Sequence, residues 1–207
     1  MIIDELRKDK SISVIVTHNL DHEIITVYAK NRDTDSIDQD SAVRLKNFNS
    51  DWILYRVQRV QEFLIKKFSN ETLAKLALFV SVSREFSSID ASTDVRGELR
   101  ALKSDLEAAD KYIENEIGSD YYSFFEDKVN CINLKLRENA CYDIYYLSPT
   151  GDIAIISEDR QLPSAFIVVY NFSFILKRFK EVIYPQLINY NLSSNQVELL
   201  KRIYLKK

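Results

Sequence analysis

Residues 92–118 read STDVRGELRALKSDLEAADKYIENEIG, and their spacing decides the fold class. Val95, Leu99, Leu102, Leu106, Ala109 and Ile113 step by four, three, four, three and four residues. That is an a/d seam about three heptads long, the signature of a helix that buries one narrow stripe. Ser92, Thr93 and Asp94 supply an N-cap, and Gly118 stands where a residue just past a helix end belongs. After the glycine, Tyr121, Phe125, Val129, Ile132 and Leu136 recur at helical steps from a start at Ser119-Asp120. Together these stretches predict an αα-hairpin over residues 92–138, either the centrepiece of the domain or an inserted arm. At 1.5 Å per residue its longer helix measures roughly 37 Å.

On the N-terminal side, residues 11–30, SISVIVTHNLDHEIITVYAK, hold two β-branched runs around Asn19-Leu20-Asp21 and predict a β-hairpin. Residues 31–41 read as a polar, acid-rich loop. Ser50-Asp51 then looks like a helix cap, with Trp52, Ile53, Val57, Val60, Leu64 and Phe68 spaced along one helical face. A further helix restarts after Ser69-Asn70-Glu71, although the stretch from Leu76 to Arg84 reads equally as a strand.

On the C-terminal side the character turns to β. Tyr142–Leu147 and Asp152–Ile156 flank Ser148-Pro149-Thr150-Gly151 and predict a second hairpin. Ala165–Tyr170 fits a third, buried strand, the alternative being a helix that starts there. A helix follows from Ser173 until Pro185 ends or kinks it near Tyr184. The last helix opens with Ser193-x-x-Gln196, a capping box, and runs through Val197, Leu200 and Ile203. The expectation is one helix-rich α+β domain over residues 1–207. It contains a long central αα-hairpin, an N-terminal β-hairpin and a β-meander in the C-terminal half.

Composition restricts function. Of 207 residues only three are glycine, at 97, 118 and 151, so neither a phosphate-cradling loop nor a dinucleotide fingerprint can be written. No cofactor is implied. The net charge of −3 gives no global reason to bind nucleic acid or an anionic membrane. No apolar run reaches the about 20 residues that a membrane-crossing helix needs. Two acids stand before any apolar run in Met1–Leu6, against a secretory signal. Cys131 and Cys141, ten apart, read as free thiols in a reducing, cytoplasmic compartment. The Ile- and Asn-rich usage fits an AT-rich genome, such as that of a low-GC bacterium or a phage.

Chemistry-bearing constellations are thin. His18 and His22 are the only histidines, in H-N-L-D-H. If they pair across a turn they share a face about 5 Å apart, and Asp21 or Glu23 would complete a surface metal site. The flanks are strand-like, and Asp stands where the inverted zinc-protease motif needs Glu. Asp33, Asp35, Asp38 and Asp40 lack the glycine and the glutamate of a calcium loop. Asp152 supplies one carboxylate of a metal-dependent nuclease, but the next strand has no Glu-x-Lys. No G-x-S-x-G is present.

Two surface readings remain. Tyr142, Tyr145 and Tyr146 put aromatics on both faces of one strand, and exposed tyrosine is enriched in protein interfaces. Seven cations lie between Lys177 and Lys207 against Glu181 and Glu198. Lys177, Arg178, Lys180, Lys201 and Arg202 therefore form a candidate phosphate-facing surface. The leading expectation is a non-enzymatic interaction protein, either a subunit or adaptor of an assembly or a small inhibitor, with protein partners or self-association. Nucleic-acid binding through the basic C-terminal helices is the alternative, and a metal-dependent hydrolase or nuclease comes third.

Overall fold

The computed structural model describes residues 2–19, 22–31, 34, 36–86 and 91–206 and is a mixed α and β protein. The chain divides into two compact units, Met1–Ser88 with Leu192–Tyr204, and Ile89–Asn191 with Leu205–Lys207. Among the described residues no helix is long and apolar enough to cross a membrane.

The first unit is built on a five-stranded antiparallel meander. Its strands β1 (Ile12–Asn19), β2 (His22–Lys30), β3 (Ile37–Phe48), β4 (Asp51–Gln58) and β5 (Gln61–Phe68) pair in chain order. The predicted hairpin is β1–β2. The predicted helix over 50–68 is corrected: that segment is β4 and β5. Asn49 and Ser50 both have positive φ, as do Arg59 and Val60, which is how a two-residue hairpin turn follows strand twist. Only the first pair carries turn-type residues. Arg59-Val60 contains no Gly, Asn or Asp, so nothing in its composition announces the reversal. The three- and four-residue spacing was a coincidence of two strands, in which Trp52, Leu54 and Phe68 are buried and Val60 is 93% exposed.

Helix α1 (Ile2–Lys8) precedes the meander and packs on β1 and on α2 (Glu71–Glu85). The strand-or-helix ambiguity at 76–84 resolves to helix. The Asn70 side chain accepts from the Leu73 amide at 2.8 Å and caps α2. This helix is buried on nearly every side from Leu76 to Val82, which is why its sequence shows no polar stripe. It lies on the sheet face that carries Ile25, Leu45, Trp52 and Leu54, with Lys75 Nζ 5.1 Å from the centre of the Trp52 ring.

In the second unit, the predicted central helix is two helices, α3 (Thr93–Ala101) and α4 (Leu106–Ile117). Of the predicted seam Val95, Leu99, Ala109 and Ile113 are buried, while Leu102 and Leu106, on either side of the break, are partly buried. The break has a local cause. Lys103 takes positive φ and the Asp105 carboxylate caps a fresh helix by accepting from the Ala108 amide. Gly118 ends α4 at φ +95°.

The predicted second arm of the αα-hairpin is also corrected. Residues 119–136 hold the short strand β6 (Tyr122–Ser123), a loop, and β7 (Cys131–Leu136). Phe125, Val129 and Leu136, three members of the expected stripe, are exposed. The loop folds over Asn133 instead. This fully buried side chain accepts from the Lys128 amide at 2.8 Å and donates to the Lys128 and Cys131 carbonyls. Helical backbone bonds are thereby replaced by a side-chain knot.

Strands β8 (Tyr142–Leu147) and β9 (Ile153–Arg160) form the predicted second hairpin, and the sheet order is β6-β7-β8-β9. The segment 165–170 is not a strand but the start of α5 (Ser164–Arg178). Ala165, Phe166, Val169, Tyr170, Ser173 and Leu176 mark one buried helical face. That face meets Ile132, Leu134, Ile144 and Tyr146 in a single core. Burying a ring such as Phe166 contributes about 1.5–3 kcal/mol. Pro185 does not stop the chain: a π turn at Phe179–Ile183 shifts the bonding register before α6 (Tyr184–Leu187). The capping box is present at α7 (Ser194–Leu205), where Ser193 and Gln196 exchange side-chain to backbone bonds.

Candidate protein-contact groove

Period-two alternation divides the β7–β8–β9 sheet into two faces. Ile132, Tyr146 and Ala154 lie in register on the α5 side, and Asn133, Tyr145 and Ile155 lie in register on the other. That other face is half covered. The 124–130 loop lies over Asn133 and Tyr145, and the Tyr145 hydroxyl donates to the Asp127 carboxylate. Burial, with that bond and charge, pushes the Tyr145 phenol well above its ordinary range.

Beyond the loop's reach the face opens into a groove of about 600 Å³. Its apolar floor is Ile153, Ile155 and the Tyr145 ring, and Leu136, at the end of β7, borders it. Leu136 is 60% exposed, Ile153 58% and Ile155 43%, although all three stand in regular strands. Strand β9 is also the edge of its sheet. Apolar side chains left open on a sheet face are what a partner segment can use.

The rim is charged and ordered by one guanidinium. Arg137 Nε lies 2.9 Å from Asp143 and Nη1 lies 2.8 Å from Asp159, with Glu158 at 3.9 Å. Asn139 donates to Asp159 at 3.3 Å, and the Asp159 amide donates to Asp143 at 3.2 Å. The hydrogen bonds from Arg137 and then Asn139 hold the Asp159 carboxyl below the usual carboxylate range. A carboxylate held in this way is a poor general acid at neutral pH. Four carboxylates, Glu138, Asp143, Glu158 and Asp159, stand against Lys135 and Arg137, so the rim is acidic.

The residues singled out from sequence fall elsewhere or inward. Tyr145 is 3% exposed and Tyr146 fully buried, its hydroxyl donating to Asn130 at 3.1 Å, while Tyr142 is half-buried. Tyr145 and Tyr146 are therefore not exposed as expected: the chain's own loop and core take them. Only the Tyr145 ring reaches the groove.

The histidines do not share a face. His18 pairs with Glu23 and Asn19 with His22, so the register is displaced by one from a direct His18–His22 pairing. The His22 ring stacks on Phe48 at 4.7 Å, and Asp21 lies outside the described residues. Among the described residues no group of three or more His, Cys, Asp or Glu side chains is placed to hold a metal ion. Cys131 and Cys141 form no disulfide, and the Cys131 thiol donates to the Asp120 carbonyl at 3.3 Å.

The basic residues are engaged at home. Lys177 donates to the Ile117 carbonyl and Lys180 to the Asp120 carbonyl, and both ammonium groups lie over the Tyr121 ring. Tyr121 donates to Glu181 at 2.7 Å, which with burial pushes its phenol up to about 12. Lys201 and Arg202 both bond Glu198, with Lys201 itself buried. Arg178 belongs to the last turn of α5.

Arg137, Ile153 and Ile155 were not singled out from sequence. Their signal was the Ile-x-Ile alternation of a predicted hairpin strand, which the sequence alone does not assign to an open face. Compared with protein-family models, curated proteins and solved structures, the chain matches none.

Proposed function

We propose that this protein acts by contact, as a non-enzymatic binding module that holds a segment of another protein in the β8–β9 groove. The observation that carries this reading is the exposure of Ile153 and Ile155 on an edge strand, beside an acidic rim fixed by Arg137. An apolar centre within a polar border is the anatomy of a protein interface. Charge complementarity specifies the occupant: a segment with two or more apolar side chains flanked by Lys or Arg. Adaptor, assembly subunit and inhibitor are all forms of that single capacity. Engagement of Lys177, Lys180, Lys201 and Arg202 within the chain argues against the nucleic-acid alternative, because cations already bonded are poor phosphate ligands.

The test is selection of a displayed random-peptide library on the purified chain and on an Ile155→Asp variant. Enriched peptides should carry apolar residues flanked by Lys or Arg, fail on the variant, and bind more weakly as salt rises. Equal enrichment on both proteins, or none on either, contradicts the reading.

A further inference from the structure

The first strand poses a separate question, independent of the groove. Strand β1 is an edge of its sheet, eight residues long, and pairs with β2 without a bulge from Ile12 to Asn19. It contains no charged residue and no proline. Natural edge strands are guarded by charges, bulges or shortness. The other edges here obey that rule. Strand β5 carries Lys66 and Lys67 and an irregularity opposite Leu54–Tyr55, and β9 ends in Glu158, Asp159 and Arg160 with two register shifts. Strand β6 has two residues. Among the described residues β1 is the one long, unguarded edge.

Its sequence is also self-complementary. Ser13-Val14-Ile15-Val16-Thr17 is a palindrome in side-chain class about Ile15. The Lys30 amide donates to the Ser11 carbonyl at 2.8 Å, so odd-numbered residues of β1 face β2 with their backbone groups. Antiparallel ladders alternate, and Val14, Val16 and His18 therefore direct N–H and C=O outward.

We infer that β1 pairs with β1 of a second copy of this chain, antiparallel about a two-fold axis through Ile15, joining two five-stranded sheets into one. In that register Val14 lies opposite Val16 of the second copy, and the two pairs exchange four hydrogen bonds. Ser13 meets Thr17, hydroxyl to hydroxyl, and Ile15 meets Ile15 at a non-hydrogen-bonded pair, where side chains come closest. Ile15 is 43% exposed in the single chain and becomes covered. Shifting the register by two residues places Ile15 opposite Ser13 or Thr17 of the second copy and loses both the Ile15 pair and the hydroxyl match. The pairing uses one edge per copy, so it closes at a dimer rather than propagating.

Light scattering across the micromolar range, coupled to size exclusion, reads the mass. A concentration-dependent dimer is expected, and Ile15→Lys should raise its dissociation constant about tenfold or more by placing like charges at the axis. Because Ile15 is exposed, circular dichroism should show the variant folded. In a Cys141→Ser background, Ile15→Cys should form a disulfide-linked dimer on mild oxidation, since facing residues at the axis meet the required geometry. Thr17→Cys, opposite Ser13 rather than itself, should not. A monomer at all concentrations, growth beyond the dimer, or equal cross-linking at positions 15 and 17 overturns the inference. An Ile155→Asp protein should dimerise as the parent does, which separates failure here from failure of the groove reading.

Discussion

The two sheets of this protein each carry an arginine held by carboxylate, and they use it differently. In the five-stranded sheet Arg44 and Lys46 of β3 reach over β4 to Glu62 of β5, on the face opposite α2. Glu62 accepts from Arg44 at 2.6 Å and Lys46 at 2.7 Å, Arg44 also bonds Thr26, and Lys46 lies over Tyr55. That network belongs to the body of the sheet. In the four-stranded sheet the corresponding structural work falls mostly to neutral groups, namely the Asn133 knot, Tyr146 on Asn130 and Tyr122 on the Asp110 carbonyl, with Tyr145 on the Asp127 carboxylate the exception. Its charged network, around Arg137, sits at the margin in water. A sheet whose fold does not lean on its charged rim can leave that rim and its apolar floor to a partner.

The largest expected effect tests the neutral side of this contrast. Asn133→Ala strips three hydrogen bonds from a fully buried position and unpairs the Lys128 backbone. It should lower unfolding stability by about 2–3 kcal/mol in denaturant melts. A loss below about 1 kcal/mol would mean the knot is dispensable.

Next comes the β4–β5 turn. Val60 is β-branched at φ +70° and almost fully exposed, so Val60→Gly removes strain without removing contacts. It should raise stability by about 1 kcal/mol, read as an upward shift in Tm. Destabilisation would show that Val60 makes a contact the single chain does not reveal.

A smaller effect separates the charged networks by pH. Burial raises the Glu62 carboxyl, and the bonds and charges of Lys46 and Arg44 more than offset that, leaving it below its ordinary value. A folded-state pKa that is depressed contributes stability above the unfolded value of about 4.3, lost as pH falls through the folded value. The half-exposed position limits this to about 1 kcal/mol or less. Glu62→Gln should flatten that part of the acid stability profile, and an unchanged profile would remove Glu62 from the account. The smallest effect is Arg137→Ala, for which no measurable change in melting is expected. A clear fall in Tm there would erase the difference between the two sheets.

How much of this was legible depended on local chemistry. The 142–160 hairpin was legible because Ser148-Pro149-Thr150-Gly151 states its turn, and α7 because Ser193 and Gln196 state its cap. The β4–β5 hairpin was not, because Arg59-Val60 gives no turn signal and the apolar residues of two strands fell at helical spacing. The second helical arm failed because Asn133 satisfies the loop backbone, a role that no periodicity reveals. Only the seam of α3 and α4 survived its own break, since Asp105 restarts the helix in phase. The groove was least legible of all. Arg137, Asp143 and Asp159 meet through strand register, and a one-residue slip of the kind that parts His18 from His22 would have dispersed them.

The most direct measurement of the central claim is the paired stability and binding of an Ile153→Asp, Ile155→Asp protein. If the floor of the groove serves contact and not the fold, its Tm should stay within about 2 °C of the parent while capture of the selected apolar–basic peptides is lost. A protein that melts far lower, or one that still captures those peptides, would contradict the account.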